Sequence, residues 1–233
     1  MTRKRTRHGH FPTQRYRRPV NRSQQLRAFY NVTDAHPINR IISIDETSLT
    51  PFMFRAYSRC QLGDKCVQVT DENRVFTKHT FVAAITNQRL LGCELYDEGA
   101  MTSERMVAFL TRLIRRYRLR GYLFLLDNAG VHRNQSVRDV IATSGNQLLH
   151  TVPYNPQTNA VEAWFSQFKW YMSTSIIRTV AAIREDIETV LPRITPEHYR
   201  AYFQYAYRKG EYPQRPRPRG STHERPPKAY KQT

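Results

Sequence analysis

Apolar positions along the chain alternate between periods of two and of 3.6 residues, and each change of period marks an element. Arg40-Ile-Ile-Ser-Ile-Asp45 reads as a short buried strand, with Ile42 and Ile44 on one face and a carboxylate at its end. Residues 80–86 and 90–96 read as two more strands, joined as a hairpin by Asn87-Gln-Arg89. From Ser103 onward, Met106, Phe109, Leu110, Leu113, Ile114 and Tyr117 recur at three and four residues, while Arg112, Arg115, Arg116 and Arg118 fall elsewhere. That spacing predicts an amphipathic helix, stopped by Gly121. Tyr122-Leu-Phe-Leu-Leu-Asp127 is apolar on both faces, the pattern of a central parallel strand covered by helices. A helix over about 133–143, a strand over 147–152 and a helix over about 159–174 follow. Val161, Trp164, Phe165, Phe168 and Met172 form the buried stripe of that last helix, and helices over about 179–191 and 196–208 close the body. A hairpin followed by alternating helix and strand predicts an α/β protein with a mixed sheet flanked by helices.

At 233 residues, the chain accommodates one substantial domain with extensions. Apolar residues make up 39% and aromatics 12%, enough for a core. The longest apolar run is 122–126, far short of the roughly 20 residues of a membrane span, and no apolar segment follows the arginine-rich start as a secretory signal requires. An intracellular location is expected: cytoplasm or nucleoid in a bacterium, nucleus in a eukaryote. Cys60, Cys66 and Cys93 are too few and too irregular for a disulfide framework, and with His79 they fit no standard zinc spacing, so they read as reduced thiols.

The net charge is +18, with 30 Arg against 7 Lys, and its distribution is informative. Residues 1–40 carry +9, residues 208–233 carry +6, and the body between them only +3. The tail Tyr212-Pro-Gln-Arg-Pro-Arg-Pro-Arg-Gly220 cannot form helix or ladder, so it reads as extended and solvated. The expected organisation is a basic N-terminal arm over 1–39, a globular body over 40–208 and a basic tail over 209–233. Arms of this kind suit a polyanion, because each neutralised phosphate releases counterions.

Three acids stand out. Both apolar strands, 41–45 and 123–127, run into an aspartate; if they lie parallel and adjacent, Asp45 and Asp127 converge at one sheet edge. Two partly desolvated anions either share a proton or hold a cation, and oxygen ligands favour Mg²⁺ or Mn²⁺. The alternative is that each Asp merely starts a turn. Glu162, at the margin of its helix's buried stripe and on the flank of Lys169, is placed to face the same edge. Asn159 three residues before it is equally a capping-box pattern.

In chain order, Ile-Ser-Ile-Asp45-Glu-Thr, Leu-Leu-Asp127-Asn-Ala-Gly-Val-His132 and Pro-Tyr-Asn-Pro-Gln-Thr-Asn159-Ala-Val-Glu162-Ala-Trp-Phe-Ser-Gln-Phe-Lys169 resemble the three signature blocks of DDE transposases of the mariner-like superfamily, particularly its bacterial insertion-sequence branch. The 34 residues between Asp127 and Glu162 match that superfamily's spacing, and the resemblance covers about residues 40–175. It implies an RNase H-like catalytic domain in which Asp45, Asp127 and Glu162 hold two Mg²⁺ or Mn²⁺ ions. It also implies cleavage of double-stranded DNA at transposon ends, strand transfer into target DNA, and work as a homodimer.

The matching Asn128 and His132 would orient Asp127 or reach the DNA backbone, though such residues also occur as ordinary turn residues, and Asn159 would likewise support the acids or contact DNA. Lys169 would contact a phosphate, against the simpler reading of a solvated helix face. Only 44 residues precede Asp45, so recognition of the ends is expected from a separate helix-turn-helix subunit. Two alternatives remain: a basic DNA-binding remnant or host-adopted derivative that no longer cuts, and another RNase H-like nuclease such as a junction resolvase.

Overall fold

The computed structural model describes residues 21–50, 78–172 and 180–208. Cys60, Cys66, most of the basic arm, the basic tail and the expected helix ends at 173–174 and 179 lie outside the described residues. The chain runs α1 (Arg22–Asp34), β1 (Ile41–Leu49), β2 (His79–Ile85), β3 (Leu90–Tyr96), α2 (Ser103–Tyr117), β4 (Leu123–Leu126), α3 (Gln135–Thr143), β5 (Gln147–His150), α4 (Ala160–Met172), α5 (Val180–Val190) and α6 (Pro196–Tyr207).

Five strands form one mixed sheet in the order β3-β2-β1-β4-β5. β1, β2 and β3 pair antiparallel, whereas β4 and β5 run parallel to β1. The expected parallel pairing of the two aspartate-bearing strands is present. All four β4 residues are buried, as a strand covered on both faces requires.

Alternation along β1 divides the core. Ile41 faces one layer, where Trp164 and Phe168 of α4 meet Phe81 of β2 and residues of α5 and α6 complete the packing. Ile42 and Ile44 face the other, against Met106, Phe109 and Leu110 of α2 and Val137 and Ile141 of α3. Trp164, Phe168 and Phe81 are stacked, with Trp164 and Phe168 centroids 4.9 Å apart and Phe168 and Phe81 5.2 Å apart. Trp164 Nε1 donates to the Tyr199 hydroxyl at 3.2 Å, so even its polar atom is satisfied. Trp164→Ala is expected to lower unfolding free energy by about 3–5 kcal/mol; an unchanged urea midpoint would contradict this packing.

Several expected boundaries move: the strand expected over 147–152 ends at His150, and two larger shifts have clear causes. β1 does not end at Asp45 but continues to Leu49, because β2 pairs with it from Ser43↔Ile85 to Leu49↔His79. What ends near Asp45 is the parallel pairing, last seen at Ser43↔Leu125. Helix α2 stops at Tyr117, ahead of Gly121: Arg118 takes the left-handed conformation (φ 49°), and the amides of Arg118 and Leu119 close on Arg115 and Ile114 carbonyls.

Among the described residues no helix is long and apolar enough to cross a membrane. Cys93 is a free thiol, and burial pushes it up to about 11.

Candidate active site

Beyond the pair Ser43↔Leu125, two more residues on each strand bring Asp45 and Asp127 to the same level of the sheet. Asp45 points to the α4 side and is buried, 7% exposed. Its Oδ1 accepts the Glu46 amide and its Oδ2 accepts Asn159 Nδ2, both at 2.8 Å. Asp127 sits just past β4, with Oδ1 accepting the Ala129 amide at 2.8 Å and meeting His132 Nδ1 at 2.5 Å. Glu162 occupies the first turn of α4, exposed. All three carboxylates line one open cavity of about 470 Å³, walled on the far side by the loop around Pro153 and Pro156.

The electrostatics of the three acids differ. Burial, then repulsion from Glu46 and Asp127, pushes Asp45 up to about 8. Asp127 is held below the usual carboxylate range, chiefly by its hydrogen bond to His132, which outweighs its partial burial. Glu162 is raised by partial desolvation of its carboxylate at the cavity, with Lys169 opposing and Asp127 reinforcing the shift. Among the described residues no three such side chains converge closely enough to ligate an ion as they stand. They are anions facing one space and repelling one another. An all-oxygen set whose mutual repulsion a hard cation would relieve fits Mg²⁺ or Mn²⁺.

Asn159 is not a capping-box residue. Its side chain bridges Ser43 Oγ, which donates to Asn159 Oδ1 at 2.5 Å, and Asp45 Oδ2. The first turn of α4 is capped from afar: Ser43 Oγ accepts the Val161 amide and the Tyr207 hydroxyl accepts the Ala160 amide, each at 3.0 Å. One buried network thus ties Asp45 to the start of the helix that carries Glu162. Asn159→Ala is expected to weaken divalent-metal affinity 10–100-fold with little change in fold. Calorimetric titration of Mn²⁺ checks this, and an unchanged affinity would rule the bridge out.

His132 is fully buried, with Nδ1 on Asp127 and Nε2 3.0 Å from Glu46 Oε2. Burial works against its charge, but the hydrogen bond to Asp127 and the proximity of Glu46 prevail and raise it to about 10. As an imidazolium it fixes the rotamer of Asp127 from the face opposite Asn159. Asn128 also lines the cavity, and its Nδ2 donates to the Thr151 carbonyl, pinning the loop after β4 to the end of β5. Lys169 is half-buried rather than solvated and bonds Thr47 Oγ1 at 2.5 Å. Burial lowers its pKa while Glu162 supports its charge.

Glu46, Ser43 and His150, whose Nδ1 lies 2.9 Å from the Asp127 carbonyl oxygen, were not singled out from the sequence. Ser43 had a signal, the one hydroxyl in the buried run Ile41-Ile-Ser-Ile44.

Residues 40–184 match the family model described as DDE superfamily endonuclease. The chain belongs to the DDE superfamily endonucleases. For this endonuclease 148 chains of known structure match, among them several of Mos1 mariner transposase. The Mos1 mariner paired end complex with Mn superposes with a TM-score of 0.68 at 18% identity, covering 81% of this chain and 59% of that one. The Mos1 strand transfer complex gives 0.67 at 19%, with 88% and 64% covered. The Mos1 transposase catalytic domain with Raltegravir and Mg gives 0.63 at 14%, with 81% and 89% covered. Such identities speak to the fold, which is the expected RNase H-like mixed sheet flanked by helices. The endonuclease spans about three fifths of the Mos1 chains in those two complexes and most of the isolated catalytic domain. No curated protein matches by sequence.

Proposed function

We propose that this endonuclease is the catalytic part of a transposase, which cuts double-stranded DNA at the ends of a mobile element and transfers the freed 3′-hydroxyl into target DNA. The observation that carries this reading is the placement of Asp45 and Asp127 side by side on parallel strands, with Glu162 facing the same cavity, in a DDE superfamily endonuclease. Asp45, Asp127 and Glu162 would hold two Mg²⁺ or Mn²⁺ ions, which supply a polarised phosphoryl oxygen and an activated water or hydroxyl for in-line displacement.

The chain's own groups prepare that site. The His132 imidazolium keeps Asp127 ionised and occupies its Oδ1, leaving Oδ2 for a ligand. The Glu46 amide and Asn159 orient Asp45, and Lys169 balances Glu162. The loop at Pro153 and Pro156 closes one side of the cavity and limits access to an extended backbone. The proline-rich tail over 209–233 and the arm over 1–39 would hold the DNA backbone around the catalytic domain over 40–208. Similar structures are described as a paired end complex and a strand transfer complex, which supports work on two DNA ends together; a homodimer would hold the two ends, and a separate helix-turn-helix subunit would recognise them.

The test is incubation with Mg²⁺ and linear duplexes carrying the element's ends beside a target plasmid. The reading predicts cuts at the ends and joined products. Cutting of branched junctions without joining would instead identify a resolvase, and binding without cutting a silent remnant.

A further inference from the structure

The end of the sheet remote from the carboxylates is built from four loops: residues 37–40 before β1, 86–89 between β2 and β3, 118–122 between α2 and β4, and 144–146 between α3 and β5. With the last turn of α2, these segments carry Arg40, Arg89, Arg115, Arg116, Arg118 and Arg120, all exposed, and no Asp or Glu. Among the described residues none of the six is in an ion pair. The body's small net charge is therefore polarised, with its catalytic acids at one end and an unneutralised arginine face at the other.

The face is held in shape by neutral groups. Arg40 lies 4.8 Å over the Tyr122 ring and donates to the Arg120 carbonyl at 3.2 Å. Arg89 and Arg116 both approach the Tyr117 ring, at 5.1 and 5.5 Å, and the Tyr117 hydroxyl is anchored on the Leu91 carbonyl at 2.7 Å. The Gly121 amide bonds the Gly145 carbonyl at 3.0 Å and so joins two of the loops. Ring faces and carbonyls orient guanidinium groups without cancelling their charge.

Cations near the end of α2 also complement its dipole, but that effect fades within the last turn and does not account for Arg40 or Arg89. Arg118 adds an independent observation. It sits at φ 49°, ψ 46°, where glycine terminates helices without strain and a residue with a Cβ does not. An arginine occupies a position whose backbone favours its absence.

We propose that this arginine face is a second binding surface for the backbone of duplex DNA, distinct from the catalytic cavity. It crosses the ends of four neighbouring strands, about 15 Å, wide enough for several phosphates. Arg40 just precedes β1 and lies five residues from Asp45 along it, about 16 Å, so a phosphodiester in the cavity is out of its reach. The proposal rests on the DNA-cutting reading only in taking DNA as the polyanion.

The test is fluorescence anisotropy of a 20-base-pair duplex of arbitrary sequence with the full chain in EDTA, over a range of NaCl concentrations. Replacing Arg116, Arg118 and Arg120 together with Gln is expected to make the slope of log affinity against log salt shallower by about 2–3. At low salt the loss of affinity is expected to be about tenfold or more. The same three positions as Lys should keep the slope, and Arg200→Gln, at an arginine already paired with Glu197, should leave it unchanged. Arg118→Gly separates the two roles of that residue: it is expected to raise the melting temperature and yet make the slope shallower by about 1. A triple Gln variant with the wild-type slope, or Arg118→Gly with an unaltered one, overturns the proposal. A chain that never cuts DNA but shows these slopes loses the catalytic reading and keeps this one; a cutting chain without them does the reverse.

Discussion

Glu162→Gln is expected to lower metal-dependent DNA cleavage by about 10³-fold or more, equivalent to roughly 4 kcal/mol of lost transition-state stabilisation. The substitution keeps the shape of the side chain and removes its charge, so it takes one anionic oxygen donor from the cavity that Asp45 and Asp127 also line. Glu162 is exposed and outside the aromatic core of α4, so the folded state barely changes. The melting temperature should therefore stay within about 2 °C of wild type, the small cost being the lost attraction of a carboxylate to a helix N-terminus. Single-turnover cleavage at saturating DNA is the appropriate measurement, because it isolates the chemical step from binding. A variant that cuts within tenfold of wild type would remove Glu162 from the catalytic set.

The metal-free protein is expected to lose stability as pH rises from 5 to 9, and Mg²⁺ to restore it. Asp45 is raised to about 8 in the fold from an ordinary 3.8, so between those values the folded state binds a proton that the unfolded chain releases. Its contribution is fully present below pH 4 and is lost as pH climbs through 8. His132, raised from 6.5 to about 10, acts in the same direction over a higher window: its contribution is full below 6.5 and fades toward 10. Asp127 is depressed and acts oppositely, but only in acid, well below the range measured. Together the shifts correspond to a fall in melting temperature of at least about 10 °C from pH 5 to pH 9 without metal. A cation bound to the ionised carboxylates stabilises the folded state alone and flattens the curve. Thermal melts across this range, with EDTA and with Mg²⁺, check both parts. A metal-free melting temperature that rises with pH would contradict the account of Asp45.

Much of this arrangement was legible in the sequence because it depends on short-range patterns. Two apolar strands that each reach an aspartate, and a helix whose stripe of Trp164, Phe165 and Phe168 leaves Glu162 at its margin, fix the faces on which the acids must lie. What escaped was set by partners distant in sequence. Asn159 stood out as a candidate support for the acids, but its partners Ser43 and Asp45 are more than a hundred residues away and no local pattern names them, and Tyr207, 47 residues on, caps Ala160. Strand β1 outruns its expected end because β2, across 27 residues outside the described structure, pairs with it. Glu46 and Asp45 alternate to opposite faces of the sheet, so nothing local links Glu46 to Asp127. His132, at the loop before α3, makes that link. The arginine face was hidden for a related reason: its six residues come from separate segments, five of them inside a nearly balanced sum and Arg40 counted with the basic arm.

Asp45, Asp127 and Glu162 are expected to act together as the ligands of a divalent metal centre that cuts DNA. Electron paramagnetic resonance titration of Mn²⁺ in the presence of duplex DNA tests it most directly, comparing wild type with Asp127→Asn and Glu162→Gln. The account predicts two Mn²⁺ bound per wild-type chain and a loss of bound ions in both variants. Mn²⁺ binding that neither substitution changes, or none by the wild type, would contradict it.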